Sequence, residues 1–320
     1  MAMNWVAQSG FLTNNKLNLD YQKAAQPLQR FRQFVTIKEA FGKQQGQSVN
    51  WMRAANLTTR GGSLTETNTM FESDQALTWG TLTVGEYGNS IPFTFKLEAL
   101  SEFDIKNILK SGLMDDQVKV LDGVVEREFN KTPLKYVGTS TTTGTLTTDS
   151  SATVSNTSVL NSYHVRKMRL ALEKLNVPTY DGDYVCIASL EALESLEGTI
   201  ETTQQYTEAG YKQILNGEVG KFHGVRFVKD GYATRYVTSA GARTETAITM
   251  AQGQSGVAYM FGRDTVREAV VVPEEIRMKV VTDYGRSKGL AWYFLGGWAI
   301  EWETAANARI VKWTSNETET

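Results

Sequence analysis

The chain has 320 residues, 41% hydrophobic and 21% charged, so it can bury a substantial core, and disorder throughout is excluded. Lysine plus arginine total 33 against 35 for aspartate plus glutamate, a net charge of -2 without the basic surplus of a dedicated nucleic-acid reader. The one cysteine, Cys186, excludes an intrachain disulfide framework and a zinc site built on paired cysteines. A length-based prior gives about two domains. The opening MAMNWVAQSG lacks the basic and apolar regions of a signal peptide, and no apolar run reaches the roughly 18 residues of a membrane span, so folding in the cytoplasm is expected.

Residues 1–35 are rich in Asn and Gln and carry scattered anchors at Phe11, Leu12, Leu17, Leu19 and Tyr21. They sustain no period, and read as an extended arm with a short helix near Ala24–Phe34. VTIKEAF (35–41) and VNWMRAANL (49–57) can each form a strand. The run from Leu57 to Ala76 is polar and is broken at Thr59-Arg60-Gly61-Gly62-Ser63. Leu82 and Val84 then alternate with threonines, and Gly88-Asn89 suits a turn or bulge. Residues 41–98 therefore read as a long β-excursion.

At Ser101 the period changes. Ser101-Glu102-Phe103-Asp104 reads as an N-cap with acids in the first turn. Phe103, Ile105, Ile108, Leu109, Leu113, Val118, Leu121, Val125 and Phe129 follow at helical spacing, and Pro133 ends the run. A helix over 102–130 would be about 43 Å long. Gly112 and Gly123 would each weaken it by roughly 1 kcal/mol relative to alanine.

The Thr/Ser tract at 138–158 reads as a solvated loop or a β-hairpin. Ser162–Asn176 reads as a helix with Val165, Met168, Leu172 and Leu175 inward, stopped by Pro178. YVCIAS (184–189) is a buried strand, LEALESLEG a short helix closed by Gly198, and a further helix ends at Asn216-Gly217 before a strand at Val225–Val228. From Ala247 the chain reads as strands: ITMAQ, GVAYMFG, VREAVVV, RMKVVTDYG, LAWYFLGGWAIEWE and ARIVKWTS, separated by glycines and Pro273.

Catalytic and metal-binding signatures are not found. There is no phosphate-binding G-x-x-x-x-G-K-[ST], no G-x-G-x-x-G and no H-E-x-x-H. Gly253-Gln254-Ser255-Gly256 lacks the spacing of a nucleophile elbow and reads as a turn. His164 and His223, the only histidines, read as packing or surface residues, too few for a His-rich metal site. Cys186 reads as a small buried hydrophobe. Asp115-Asp116, the pair Glu126 and Glu128, and Glu274-Glu275 read as solvated surface, because residues one or two apart on a helix point to different faces. Trp292, Trp298, Trp302 and Trp313 suit core and interface packing better than a ligand platform. No catalytic, cofactor-binding or metal-binding residue and no cofactor is therefore assigned, and the chain is not read as an enzyme.

Two stretches resemble a known family. NGEVGKFHGVRFVKD (216–230) and DYGRSKGLAWYFLGGWAIEWETAANARIVKWTS (283–315) are similar to segments of the major capsid proteins of tailed double-stranded DNA phages, the Hong Kong ninety-seven fold, and within it to the N-four-like podophages. The order of elements agrees over nearly the whole chain. The resemblance implies an α+β capsid fold: an N-terminal arm (1–40), an extended loop (41–98), a peripheral β-sheet domain with the long spine helix (99–135 and 266–320) and an axial αβ domain (136–265). It implies self-assembly into hexamers and pentamers that form an icosahedral shell around the genome, in a virion assembled in the bacterial cytoplasm. Implied partners are other copies of the chain, a portal protein and, since no long helical N-terminal extension is present, a separate scaffolding protein. The near-neutral charge limits contact with packaged DNA to weak, non-specific binding, and no membrane partner is expected.

Some relatives lock their shells by an isopeptide bond from a lysine on the extended loop to a neighbour's asparagine. No lysine lies between Lys43 and Lys96, so subunits here are expected to be held together non-covalently. The competing readings are a tail or decoration component, which does not account for the long helix, and an enzyme with an unrecognised site.

Overall fold

A computed structural model describes residues 29–38, 46–148 apart from 56, 58–60, 68 and 71, 158–197 apart from 191 and 195, 220–231 and 256–313. Most of the arm, the strand expected at 248–252, the helix expected before Asn216-Gly217 and the Gly198 closure lie outside these residues. The strands are β1 (Thr36–Lys38), β2 (Ser48–Ala54), β3 (Leu77–Thr83), β4 (Gly85–Thr94), β5 (Leu134–Ser140), β6 (Thr143–Thr147), β7 (Tyr184–Ser189), β8 (Lys221–Phe222), β9 (Val225–Asp230), β10 (Ala258–Phe261), β11 (Val266–Met278), β12 (Ser287–Ile300) and β13 (Ile310–Trp313). The helices are α1 (Phe95–Leu100), α2 (Ile105–Asn130) and α3 (Ser162–Lys174).

They build a four-stranded sheet in the order β1-β11-β12-β4, a seven-stranded sheet in the order β6-β5-β13-β10-β7-β9-β8, and the separate ribbon β2-β3. Two-residue periodicity explains how β12 serves two neighbours at once. Its even positions Leu290, Trp292, Phe294, Trp298 and Ile300 enter the core shared with α2. Leu295 and Ala299 pack on the opposite face with Trp51, Leu82 and Val84 of the ribbon region. Gly297 lies on that face, where an added Cβ would fall on the Thr83 carbonyl oxygen and Leu82 Cδ2. Gly297→Val should therefore push the ribbon off the sheet. We expect a loss of about 1–3 kcal/mol, the usual range for overpacking, read as a lower urea midpoint.

The long helix forms as its periodicity requires, but starts later than expected. Asp104 is the N-cap, and its carboxylate accepts from the Lys106 and Asn107 amides. Such a cap stabilises by about 1 kcal/mol. Ser101 instead closes the separate helix α1, whose own cap is Thr94. Ile105, Leu109, Leu113, Leu121, Val125 and Phe129 are buried as the spacing predicts.

The second half of α2 differs from expectation. Glu126 and Glu128 are buried, not solvated, and Asp122 is buried beside them. The cause is tertiary: this half packs in one core with Trp292 and Phe294 of β12 and with Tyr259, Phe261 and Ile310 of the seven-stranded sheet. Apolar residues from both sheets surround it, so every face is covered.

Other expectations need correction. Gly88-Asn89 is not a turn but lies inside β4, paired with Tyr293 and Trp292. Glycine is needed there because a Cβ would sit 2.7 Å from the Trp292 carbonyl oxygen. Pro273 does not separate two strands. Strand β11 runs through it, with register shifts between Val270 and Val272 and between Val272 and Glu275, the irregularity at which a sheet tolerates proline. RMKVVTDYG is thus the end of β11 and the loop beyond it. The last strand, β13, lies between β5 and β10.

The end of the arm is also more firmly seated than its composition suggests. Phe31 is fully buried, with edge-on contacts to Phe129 and Tyr259 at 5.4 and 5.5 Å. The Thr/Ser tract forms the β5-β6 hairpin as far as Thr147. Helix α3 buries Val165, Met168 and Leu172 as read from the sequence, in a second core on the far side of the seven-stranded sheet.

Candidate functional site

The residues singled out for chemistry are mostly structural. Cys186 is buried on β7, and burial pushes its thiol up to about 12, so the thiolate is not accessible near neutrality. Trp292, Trp298 and Trp313 are buried in the cores, and Trp302 is half-buried beneath the Arg309 guanidinium at 5.6 Å. Asp116 accepts hydrogen bonds from Trp292 Nε1 at 2.8 Å and Asn89 Nδ2 at 2.9 Å, which fixes the α2–β12 contact. Glu128 accepts from Lys131 at 2.6 Å. Glu274 pairs with Arg32, and Glu275 with Arg277.

His164 is buried on α3, with the Tyr136 hydroxyl 3.3 Å from its Nδ1 and the Trp313 ring at 5.0 Å. Burial holds its pKa below the ordinary imidazole value, against a smaller opposing effect of the Ser140 backbone. The native state therefore takes up this proton less readily than the unfolded chain. Stability should fall as pH drops below about 6.5 toward the lowered native value. His164→Gln should show a shallower fall than wild type between pH 7.5 and 5.5 when urea midpoints are compared.

The sequence did not suggest that Ser162 Oγ lies 3.4 Å from His223 Nε2. Burial first, then Arg166 and Arg169, lower the His223 pKa. Among the described residues no carboxylate orients this imidazole, so the pair lacks the third member of a nucleophilic triad.

The surface that stands out is apolar and projects. On the ribbon, Trp51 and Leu82 face the four-stranded sheet. Trp51 lies beside two guanidinium groups, Arg53 at 5.4 Å and Arg267 at 5.1 Å. Arg267 is held in turn by Glu301. This seats the ribbon by its inner face alone. Alternation then turns Met52 and Trp79, directly opposite each other in register, to the outside. They are 59% and 70% exposed, with Leu77 beside them. Leu57, Leu64 and Met70 in the connecting segment are exposed as well. A second apolar group, Met278, Val280, Val281 and Tyr284, lies around the turn between β11 and β12. Large apolar residues grouped on projecting elements mark a surface that a protein partner covers.

Comparisons with known proteins agree with this geometry. A family model described as phage capsid protein matches residues 120–297, more than half of the chain. No curated protein matches the sequence. Among solved structures, the head of Helicobacter pylori bacteriophage KHP40 is similar with a TM-score of 0.66 at 13% identity, covering 99% of this chain and 98% of that one. The capsid of cyanophage P-SCSP1u gives 0.64 at 11% identity, covering 97% and 94%. The capsid of Ralstonia phage GP4 gives 0.64 at 12% identity, covering 96% and 97%. At these identities the likeness is one of fold.

Proposed function

Because the chain belongs to the phage capsid protein family, we propose that its copies close into hexamers and pentamers that build an icosahedral shell around the phage genome. Its role is structural: it is a major capsid protein and a component of the virion. The observation that carries the assembly reading is the outward Met52–Trp79 face of the ribbon, too apolar to be left in water and turned away from the subunit's own core. In this reading the neighbouring subunit covers it.

The proposed layout keeps residues 1–40 as the arm and 41–98 as the extended loop. The peripheral domain is α2 with the four-stranded sheet, from 99–135 and 266–320, and the axial domain is 136–265 with β13 contributed to its sheet. The arm would reach neighbouring subunits from an anchored root at residues 29–35. A scaffolding protein and a portal are the other proposed protein partners, and contact with packaged DNA is weak and salt-sensitive given the net charge of -2. Assembly in the bacterial cytoplasm and kinship with the N-four-like podophages belong to the same proposal, the latter on the motifs at 216–230 and 283–315.

The test is the double substitution Met52→Asp, Trp79→Lys, opposite charges that do not repel across the ribbon. Both side chains are exposed in the subunit, so its urea midpoint should stay within about 0.5 kcal/mol of wild type. Yield of closed particles should collapse, since each charge would be desolvated against the partner. Normal particle yield from the variant would overturn the assignment of this face.

A further inference from the structure

At the junction between the long helix and the last strand, three side chains hold the reactants for a covalent bond. Lys312 of β13 is fully buried and donates from Nζ to Oδ1 of Asn130, the last residue of α2. Asn130 Cγ therefore lies one bond beyond the atom that the amine touches. Glu126 is buried one turn earlier on the same helix, at the i, i+4 position that shares a face with Asn130. Lys135 of β5 is the register partner of Lys312 in a parallel pair, so its own buried side chain lies on the same face of the sheet.

We propose that Lys312 and Asn130 form an intramolecular isopeptide bond, with Glu126 moving the protons. The reaction needs no co-reactant. Glu126 takes a proton from the Lys312 ammonium, and the resulting amine attacks Asn130 Cγ to form the N–C bond. A proton then passes by way of Glu126 from the attacking nitrogen to Nδ2, the Cγ–Nδ2 bond breaks, and ammonia leaves. Ammonia departs as ammonium after accepting the remaining proton from Glu126, which returns to the carboxylate. Atoms and charge balance, and nothing is oxidised or reduced.

Three physical conditions favour this step. The amine and the carboxamide are already in contact, so the attack is intramolecular. The amine is the reactive form, and the site favours it: burial first, then the charge of Lys135, pushes Lys312 down to about 7, against the smaller opposing effect of Glu126. Burial of Lys312 limits the access of water, the competing nucleophile, to the amine. The bond would tie the end of α2 to β13 across 182 positions of sequence. It lies within one subunit and so leaves the shell without covalent links between subunits.

Intact-mass measurement of the full chain, purified folded or from particles, decides the proposal. Wild type should be lighter than its sequence by one ammonia, and proteolysis should yield a branched peptide joining the segments around 130 and 312. Asn130→Ala and Lys312→Met should each have the full mass expected for their sequences. Glu126→Gln should retain the contact but show a reduced fraction of the lighter form. A folded wild-type chain at full sequence mass, with separate linear peptides for the two segments, would overturn it. That result would leave the capsid assignment untouched, since particle formation is scored separately.

Discussion

Replacing Asp122 with alanine should cost about 3–5 kcal/mol of subunit stability and release the root of the arm. Asp122 is fully buried on α2, and its Oδ1 accepts three consecutive backbone amides, from Arg30, Phe31 and Arg32, at 3.1, 2.9 and 3.1 Å. Farther along, the arm backbone is bound by the β1–β11 ladder and by Tyr180 Oη, which donates to the Phe34 carbonyl. Leaving a buried donor unsatisfied costs roughly 1–3 kcal/mol, and alanine would leave these three without the carboxylate. The Arg32 guanidinium, paired with buried Glu268 at 2.7 Å, would retain part of the docking. Asp122→Asn keeps an acceptor and loses the charge, so about 1–2 kcal/mol is expected there. Urea unfolding of both variants checks the order, and hydrogen exchange at residues 30–32 should rise most in the alanine form. Equal stability of Asp122→Ala and wild type would show that the arm root is held without these three hydrogen bonds.

The second large effect is expected at Trp292. Its indole is buried between β12 and α2, and its Nε1 donates to Asp116. Trp292→Ala removes one of the largest side chains of the main core, and about 3–5 kcal/mol should be lost. Trp292→Phe fills much of the cavity but strips Asp116 of one of its two donors, the other being Asn89. A loss of about 1–2 kcal/mol is expected for it. If the alanine variant loses less than about 1 kcal/mol, the α2–β12 contact is not the main support of the fold.

The stretches that were legible in sequence are those whose burial partners impose a single period. LAWYFLGGWAIEWE was read as a strand, and β12 is one, whereas the use of both its faces emerges only with the packing of α2 and the ribbon. The apolar spacing from Ile105 to Phe129 told of the long helix. Glu126 and Glu128 were misread because a helical period describes one packed face. The second surface over this half of α2 comes from β10 and β13, more than a hundred residues later in the chain. Pro273 was misread because a bulge absorbs its missing donor, and bulges leave little mark on composition. Gly88-Asn89 was misread as a turn or bulge because the group that requires the glycine, the Trp292 carbonyl, is distant in sequence.

The apolar face was half visible. Leu82 and Val84 alternating with threonine marked the strand, but that Met52 lies opposite Trp79 on one outward face required the β2-β3 register. The contact between Lys312 and Asn130 had no sequence signal at all. ARIVKWTS was read only as a strand, and the seating of β13 between β5 and β10 is what buries its lysine.

The central claim, that this chain is a shell-building subunit, is tested most directly by electron microscopy of the full chain produced alone and together with its neighbouring genes. The account predicts closed round particles of uniform size, or hexameric and pentameric capsomers where closure is incomplete. Tubes or rings would contradict it in favour of a tail component, and a chain that stays a monodisperse monomer at every concentration would contradict it outright.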